Sequence, residues 1–177
     1  RSLGRRLSAA LLLVAGASVW SATPAAAEPL PSYIYGIDNN NNIQEINTAT
    51  QTATQVYTNG TIPAGVSNAF AYDSVRDQFF FIDSASNLLF WNRSGDPSLL
   101  ANAATLGVAS QPGNAAYYDN AYWFFQETTN TLEKVSLTYT SNVPTGVAVS
   151  TFALTQSGGS WTNTFGDIAI NPITGML

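Results

Sequence analysis

The chain has 177 residues, 45% of them apolar and only 10% charged, with a formal charge of −5, no cysteine and no histidine. Those absences exclude Ser-His-Asp, Cys-His and zinc-type sites within the sequence, and any disulfide framework. An acidic chain with only six bases has no electrostatic footprint for nucleic acid or anionic lipid.

Taken in chain order, Arg1, Arg5 and Arg6 precede an apolar run over residues 7–20, LSAALLLVAGASVW. SATPAAAEP follows, with small residues at Ala25 and Ala27. This pattern predicts a secretory signal peptide over residues 1–27, cleaved after Ala27. An N-terminal membrane anchor is the other reading, but the run falls short of the roughly 20 residues a span needs. The paired Arg5 and Arg6 fit ordinary secretion as well as the folded-cargo route, and the former is taken. Removal of the leader leaves 177 − 27 = 150 residues, one domain's worth, with no membrane span and an extracellular or periplasmic destination. That part keeps Arg76, Arg93 and Lys134 against eleven acids, a formal charge of 3 − 11 = −8.

The first predicted strands are Tyr33–Ile37 (YIYGI) and Ile43–Asn47 (IQEIN), joined by the polar turn DNNNN, with a third over Ala53–Tyr57. Next come Ala69–Tyr72, Phe79–Ile82, Leu88–Asn92 and Leu99–Ala103, then a second set within Ala115–Leu154. The segments echo one another. Asp38 falls on Asp83 and Ile43 on Leu88 at an offset of 45, and Leu88 on Leu132 at 44. On that alignment Glu127 takes the place of Asp83. NAFAYD (68–73) matches NAAYYD (114–119), and more loosely GDIAIN (166–171), with Asn171 on Asp73. Beyond the leader no segment shows helical spacing. Four short strands every 45 residues or so describe one blade of a propeller.

At these residues the chain resembles secreted bacterial β-propellers with YVTN-like or NHL-like repeats. Their blades often read GIAxDPxTGxLYxxD and then xxLxxID. GDIAINPITGML (166–177) is similar to the first part, and YIYGIDNNNNIQEINTATQTATQV to the second. The resemblance implies an all-β fold, a partial β-propeller of four-stranded antiparallel blades. Residues 28–177 supply about three blade equivalents and are expected to continue into further blades. A small β-sandwich is the alternative, in which the echo is a habit of hairpins.

Candidate site residues follow from the antiparallel order. Asp38, Asp83 and Glu127 end successive second strands of their blades, so they are placed on one rim. Trp161, in the polar loop QSGGSWTNTF (156–165), reaches the same rim as a stacking platform for sugar or peptide. Its other reading is a lid on the core. The acids could offer oxygen ligands to Ca²⁺, but their position before Asn- and Ser-rich turns fits turn-building better, and DNNNN lacks calcium-loop spacing. No metal or other cofactor is assigned. No spacing singles out a carboxylate pair for glycoside hydrolysis. The densest aromatic patch, Tyr117, Tyr118, Tyr122, Trp123, Phe124 and Phe125, is read as core between blades. The expectation is a secreted, non-catalytic module that binds an extracellular protein or glycan, or serves at the cell surface. The alternative is the N-terminal part of an extracellular enzyme of lyase, lactonase or glycosidase type, with its catalytic residues further along.

Overall fold

The computed structural model describes residues 33–109, 111–155, 157, 159, 167–171 and 173–176. The predicted leader and Trp161 lie outside them. The described residues form an all-β structure of three antiparallel sheets taken in chain order. The first sheet holds β1 (Tyr33–Ile37), β2 (Ile43–Asn47) and β3 (Thr52–Tyr57), in the order β1-β2-β3. The second holds β4 (Asn68–Asp73), β5 (Gln78–Ile82), β6 (Leu88–Trp91) and β7 (Ser98–Ala101). The third holds β8 (Ala115–Tyr118), β9 (Ala121–Phe125), β10 (Thr131–Thr140) and β11 (Val143–Ala153). Each four-stranded sheet is a meander in which sequence neighbours pair.

Two differences from the sequence reading have local causes. The strand expected over Leu99–Ala103 stops at Ala101, and a single helical turn, α1 (Ala103–Leu106), follows. Asn102 Oδ1 accepts from the Thr105 N–H, and Gly107 closes the turn in the left-handed region at φ 70°. GDIAIN, which loosely matches the sequence of β4, forms no strand over the described residues 167–171.

The middle sheet explains why its strands read as continuous apolar runs. Every residue of β5 (QFFFI) and of β6 (LLFW) is buried. Phe79, Phe81, Leu89 and Trp91 pack toward the first sheet with Ile43 and Tyr57. Phe80, Ile82, Leu88 and Phe90 pack toward the third with Tyr122, Phe124 and Val135. A strand covered on both faces needs no polar alternation. Each fully buried aromatic or aliphatic side chain contributes about 1.5–3 kcal/mol through area removed from water.

Turns with matching geometry set the strand registers. Asp38 Oδ1 accepts from the N–H groups of Asn40 and Asn42, and Asp83 Oδ1 from those of Ala85 and Asn87. Asn41 and Ser86 both stand at φ 63°, the left-handed residue that ends a type I turn in a hairpin. A second turn recurs with Asn47, Asp73 and Asn171 accepting from the N–H groups two and three residues on. Four residues after each comes a positive φ, at Gln51, Asp77 and Gly175. Asp119 and Asn120, both at positive φ, make the two-residue turn of the β8–β9 hairpin.

Asn41 also ties the first sheet to the second. It is 2% exposed, and its Nδ2 donates to Gly65 O at 2.8 Å while its Oδ1 accepts from the Ser67 N–H at 2.8 Å. Replacing it with Ala removes both bonds and leaves a Cβ-bearing residue in a strained backbone region. Asn41→Ala is expected to lose about 2 kcal/mol in urea unfolding. Asn41→Gly, which accepts the backbone without strain, should recover part of that loss.

Candidate functional site

The β1–β2, β5–β6 and β9–β10 turns emerge at one end of the sheets, beside the β3–β4 and β7–β8 connections. Ser84 Oγ donates to Ala64 O, Gln111 Nε2 to Val66 O and Ile82 O, and Gln126 Nε2 to Gly107 O. The opposite end carries the β4–β5 and β8–β9 turns, joined by Arg76.

The predicted rim acids occupy this first end, where the oxygens of Asp38 and Asp83 serve the turns. Asp38 Oδ2 accepts from Asn42 Nδ2 at 3.0 Å and Gln44 Nε2 at 3.2 Å. Asp83, 2% exposed, accepts from Asn87 Nδ2 at 3.0 Å. Glu127 does not hold the place of Asp83. Gln126 does, because its N–H bonds to Thr131 O as the Asp83 N–H bonds to Asn87 O. The β9–β10 loop is one residue longer, which moves Glu127 past the strand end. Its carboxylate there crowds Gly113, where a Cβ would run into Oε1. Among the described residues, no group of three or more acidic, cysteine or histidine side chains is arranged to hold a metal ion.

For Asp38, burial raises the carboxyl pKa, but the hydrogen bonds from the Asn42 side chain and backbone, Asn40 and Gln44 outweigh it and hold the group below the ordinary value. A pKa lower in the folded than in the unfolded chain adds stability above the unfolded value, about 4. That increment disappears as the pH falls through the lowered value. Asp38→Asn turns an amide donor toward those of Asn42 and Gln44. The variant is expected to melt below the parent at pH 7 and to converge with it in acid, as thermal melts between pH 7 and pH 2 would show.

A cleft of about 330 Å³ opens at this end, lined by Ile37, which precedes Asp38, and by Gly113, which the Glu127 carboxylate crowds. One wall is Tyr35–Ile37 of β1, and the others are the starts of β4 (Asn68–Phe70) and β8 (Gly113–Ala115) with Asp167 and Ile168. Asp167 is its one charged lining residue among those described. Asn68 is exposed. Asn114 is 4% exposed, and its Oδ1 accepts from the Phe125 N–H at 3.3 Å. Neither Asp38, Asp83 nor Glu127 lines the cleft. The signal for its residues was present in NAFAYD and NAAYYD, whose opening asparagines both reach it. What that signal could not give is the wall from β1, which lies far from both motifs in sequence.

The three bases among the described residues bind aromatic rings. The Arg93 guanidinium lies 5.3 Å from the Tyr35 ring centre and 5.1 Å from that of Phe79, and pairs with Glu45 at 3.1 Å and Asp77 at 2.6 Å. Arg76 lies 3.9 Å over Tyr139, and Lys134 Nζ 5.0 Å over Trp123. Burial, followed by the Tyr139 hydroxyl 2.8 Å away, pushes the Tyr117 phenol well above its usual range. No helix among the described residues is long and apolar enough to cross a membrane.

No family model matches the chain, and no curated protein does. Among solved structures it is similar to a chain in the crystal structure of a nidogen/laminin complex, at 14% identity and a TM-score of 0.44. The match covers 59% of this chain and 38% of the other.

Proposed function

We propose that the chain is an extracellular, non-catalytic binding module whose three sheets are successive blades of a β-propeller, with its ligand taken up in the cleft between β1, β4 and β8. The observation that carries this reading is the cleft itself, where corresponding ends of successive sheets converge on one open volume. The series packing of the sheets through both faces of the middle one supports the blade arrangement. Matching turns at Asp38 and Asp83, and at Asn47, Asp73 and Asn171, support a recurring unit. The basic and apolar leader supports export. The ligand is an extracellular protein or glycan, and Asp38 and Asp83 are turn residues in this scheme.

The test is a screen of the exported protein against extracellular proteins and glycans, repeated with Asn68→Trp. That residue is exposed at the mouth of the cleft, so a bulky side chain there fills the volume. Binding should fall about tenfold or more, which corresponds to 1.4 kcal/mol or more, with the melting temperature retained. Unchanged affinity would place the site elsewhere.

A further inference from the structure

The second and third sheets carry an aspartate at the same motif position, but only one of the two has a structural task. Asp73 closes NAFAYD and Asp119 closes NAAYYD. Asp73 ends β4 ahead of the turn 74–77, where its carboxylate accepts from the N–H groups of Val75 and Arg76 and pairs with the Arg76 guanidinium. The turn after β8 is only Asp119 and Asn120. The N–H groups two and three residues beyond Asp119 are those of Ala121 and Tyr122, which already lie in β9. Arg76 reaches this turn too, but it bonds Asn120 Oδ1, at 2.7 Å. Asp119 is exposed, and among the described residues its carboxylate enters no ion pair. The shorter turn has removed the work that explains Asp73 and left the charge in place.

That charge stands at a second cavity, of about 230 Å³, between the second and third sheets. Its walls are Tyr72–Val75 and Tyr117–Asp119, each from a four-stranded meander. The volume lies below the roughly 300–1,000 Å³ of sites for drug-sized ligands, so it suits one long side chain. The Tyr72 hydroxyl donates to Asp77 at 2.9 Å, and that of Tyr117 shares a hydrogen bond with Tyr139 at 2.8 Å. What these two phenols offer a guest is ring surface. Tyr118 is held in place by Gly175, where a Cβ would stand 2.8 Å from the ring. Val75, 85% exposed, adds an apolar side. No Lys or Arg is among the described lining residues, and Arg76 already matches the charge of Asp73, so Asp119 sets the sign. One unmatched carboxylate among aromatic and apolar walls fits a cation with a flat, weakly hydrated head on an apolar stem.

We infer that the cavity between the β4–β5 and β8–β9 turns is a recognition pocket for one arginine side chain of a partner protein. The guanidinium bonds the Asp119 carboxylate, and the stem lies along Tyr118 and Val75. The charge-assisted bond supplies selectivity for the cation, and the rings supply the contact area. This pocket lies at the opposite end from the cleft, and its occupancy does not depend on what the cleft binds.

The probe is the blocked tripeptide acetyl-Gly-Arg-Gly-amide, titrated into the exported protein while the backbone resonances of Val75 and Asp119 are followed. Saturable binding with a Kd of about 1 mM or tighter is expected. The same peptide with citrulline, which keeps the shape and loses the charge, should bind at least about tenfold more weakly. Asp119→Asn should do the same while keeping the melting temperature, since asparagine accepts the φ of 48° found there. Asp167→Asn, in the cleft, should leave the affinity unchanged. No saturation by about 10 mM peptide would overturn the inference. So would equal binding of the citrulline peptide, or an affinity that Asp119→Asn does not change. Binding abolished by Asp167→Asn and untouched by Asp119→Asn would move the arginine to the cleft, ending this inference and leaving the binding-module reading standing.

Discussion

Phe79→Ala should lower the stability of the domain by about 3–5 kcal/mol, the range for deleting a buried aromatic ring. Phe79 is fully buried between the first two sheets. Its ring centre lies 4.9 Å from those of Tyr35 and Tyr72, and 5.6 Å from those of Phe70 and Trp91. Removing it leaves a void whose walls come from two sheets and cannot collapse together, so transfer and cavity costs add. The Arg93 guanidinium also loses one of its two ring faces. A domain of this size moves by about 2–4 °C per kcal/mol, so a melting temperature lower by about 10 °C is expected in thermal melts followed by circular dichroism. Phe79→Leu, which keeps most of the volume, should cost about 1.5 kcal/mol. Val75→Ala, at a position 85% exposed, should fall within about 0.5 kcal/mol of the parent. A loss below about 1 kcal/mol for Phe79→Ala would mean that the first and second sheets do not pack through this ring.

Much of the local structure can be read from the residues, because the turns are written in side chains that bond their own backbone. YIYGI and IQEIN become β1 and β2 with the bounds expected for them, since Asp38 and the left-handed Asn41 leave one register open to the hairpin. Burial of β5 and β6 on both faces is equally legible in their unbroken apolar runs. The failures lie where a side chain acts at a distance or a loop changes length. Glu127 aligns with Asp83 by residue type, yet one extra residue in the β9–β10 loop hands the place to Gln126. Phe79 and Trp123 align by that same offset but face opposite ways, Phe79 toward the first sheet and Trp123 away from the second, because a one-residue slip reverses every side chain of a strand. The candidate cleft was illegible for a different reason. Its walls come from the end of β1 and the starts of β4 and β8, which are remote from one another in sequence.

Arg76→Met is the second change with a large expected effect, and it tests how the second and third sheets are joined. Nη1 of Arg76 donates to Asp73 Oδ2 at 2.9 Å, and Nη2 to Asn120 Oδ1 at 2.7 Å. The guanidinium covers the Tyr139 ring at 3.9 Å. Asp73 is 1% exposed at its side chain and Arg76 19%. Met fills similar space over the ring but takes the guanidinium from the buried carboxylate, which keeps the N–H groups of Val75 and residue 76 as neutral donors. Breaking a fully buried pair costs about 3–5 kcal/mol; with the Arg partly in solvent, about 2–3 kcal/mol is expected. Arg76→Lys should recover less than half of this, because an ammonium cannot bond Asp73 and Asn120 and stay flat on Tyr139 at once. Arg76→Met with Asp73→Asn should cost less than the two single changes added together, by about 1–2 kcal/mol, since the second change removes the charge that the first exposes. Salt separates this contact from the one at Arg93, where Asp77 is half exposed. Raising the ionic strength should weaken the effect of Arg93→Met more than that of Arg76→Met, because screening acts on the pair that water reaches. Equal salt dependence would show that the Asp73 carboxylate is solvated, and the seam between the second and third sheets would then rest on apolar packing, Phe80, Ile82, Leu88 and Phe90 against Tyr122, Phe124 and Val135.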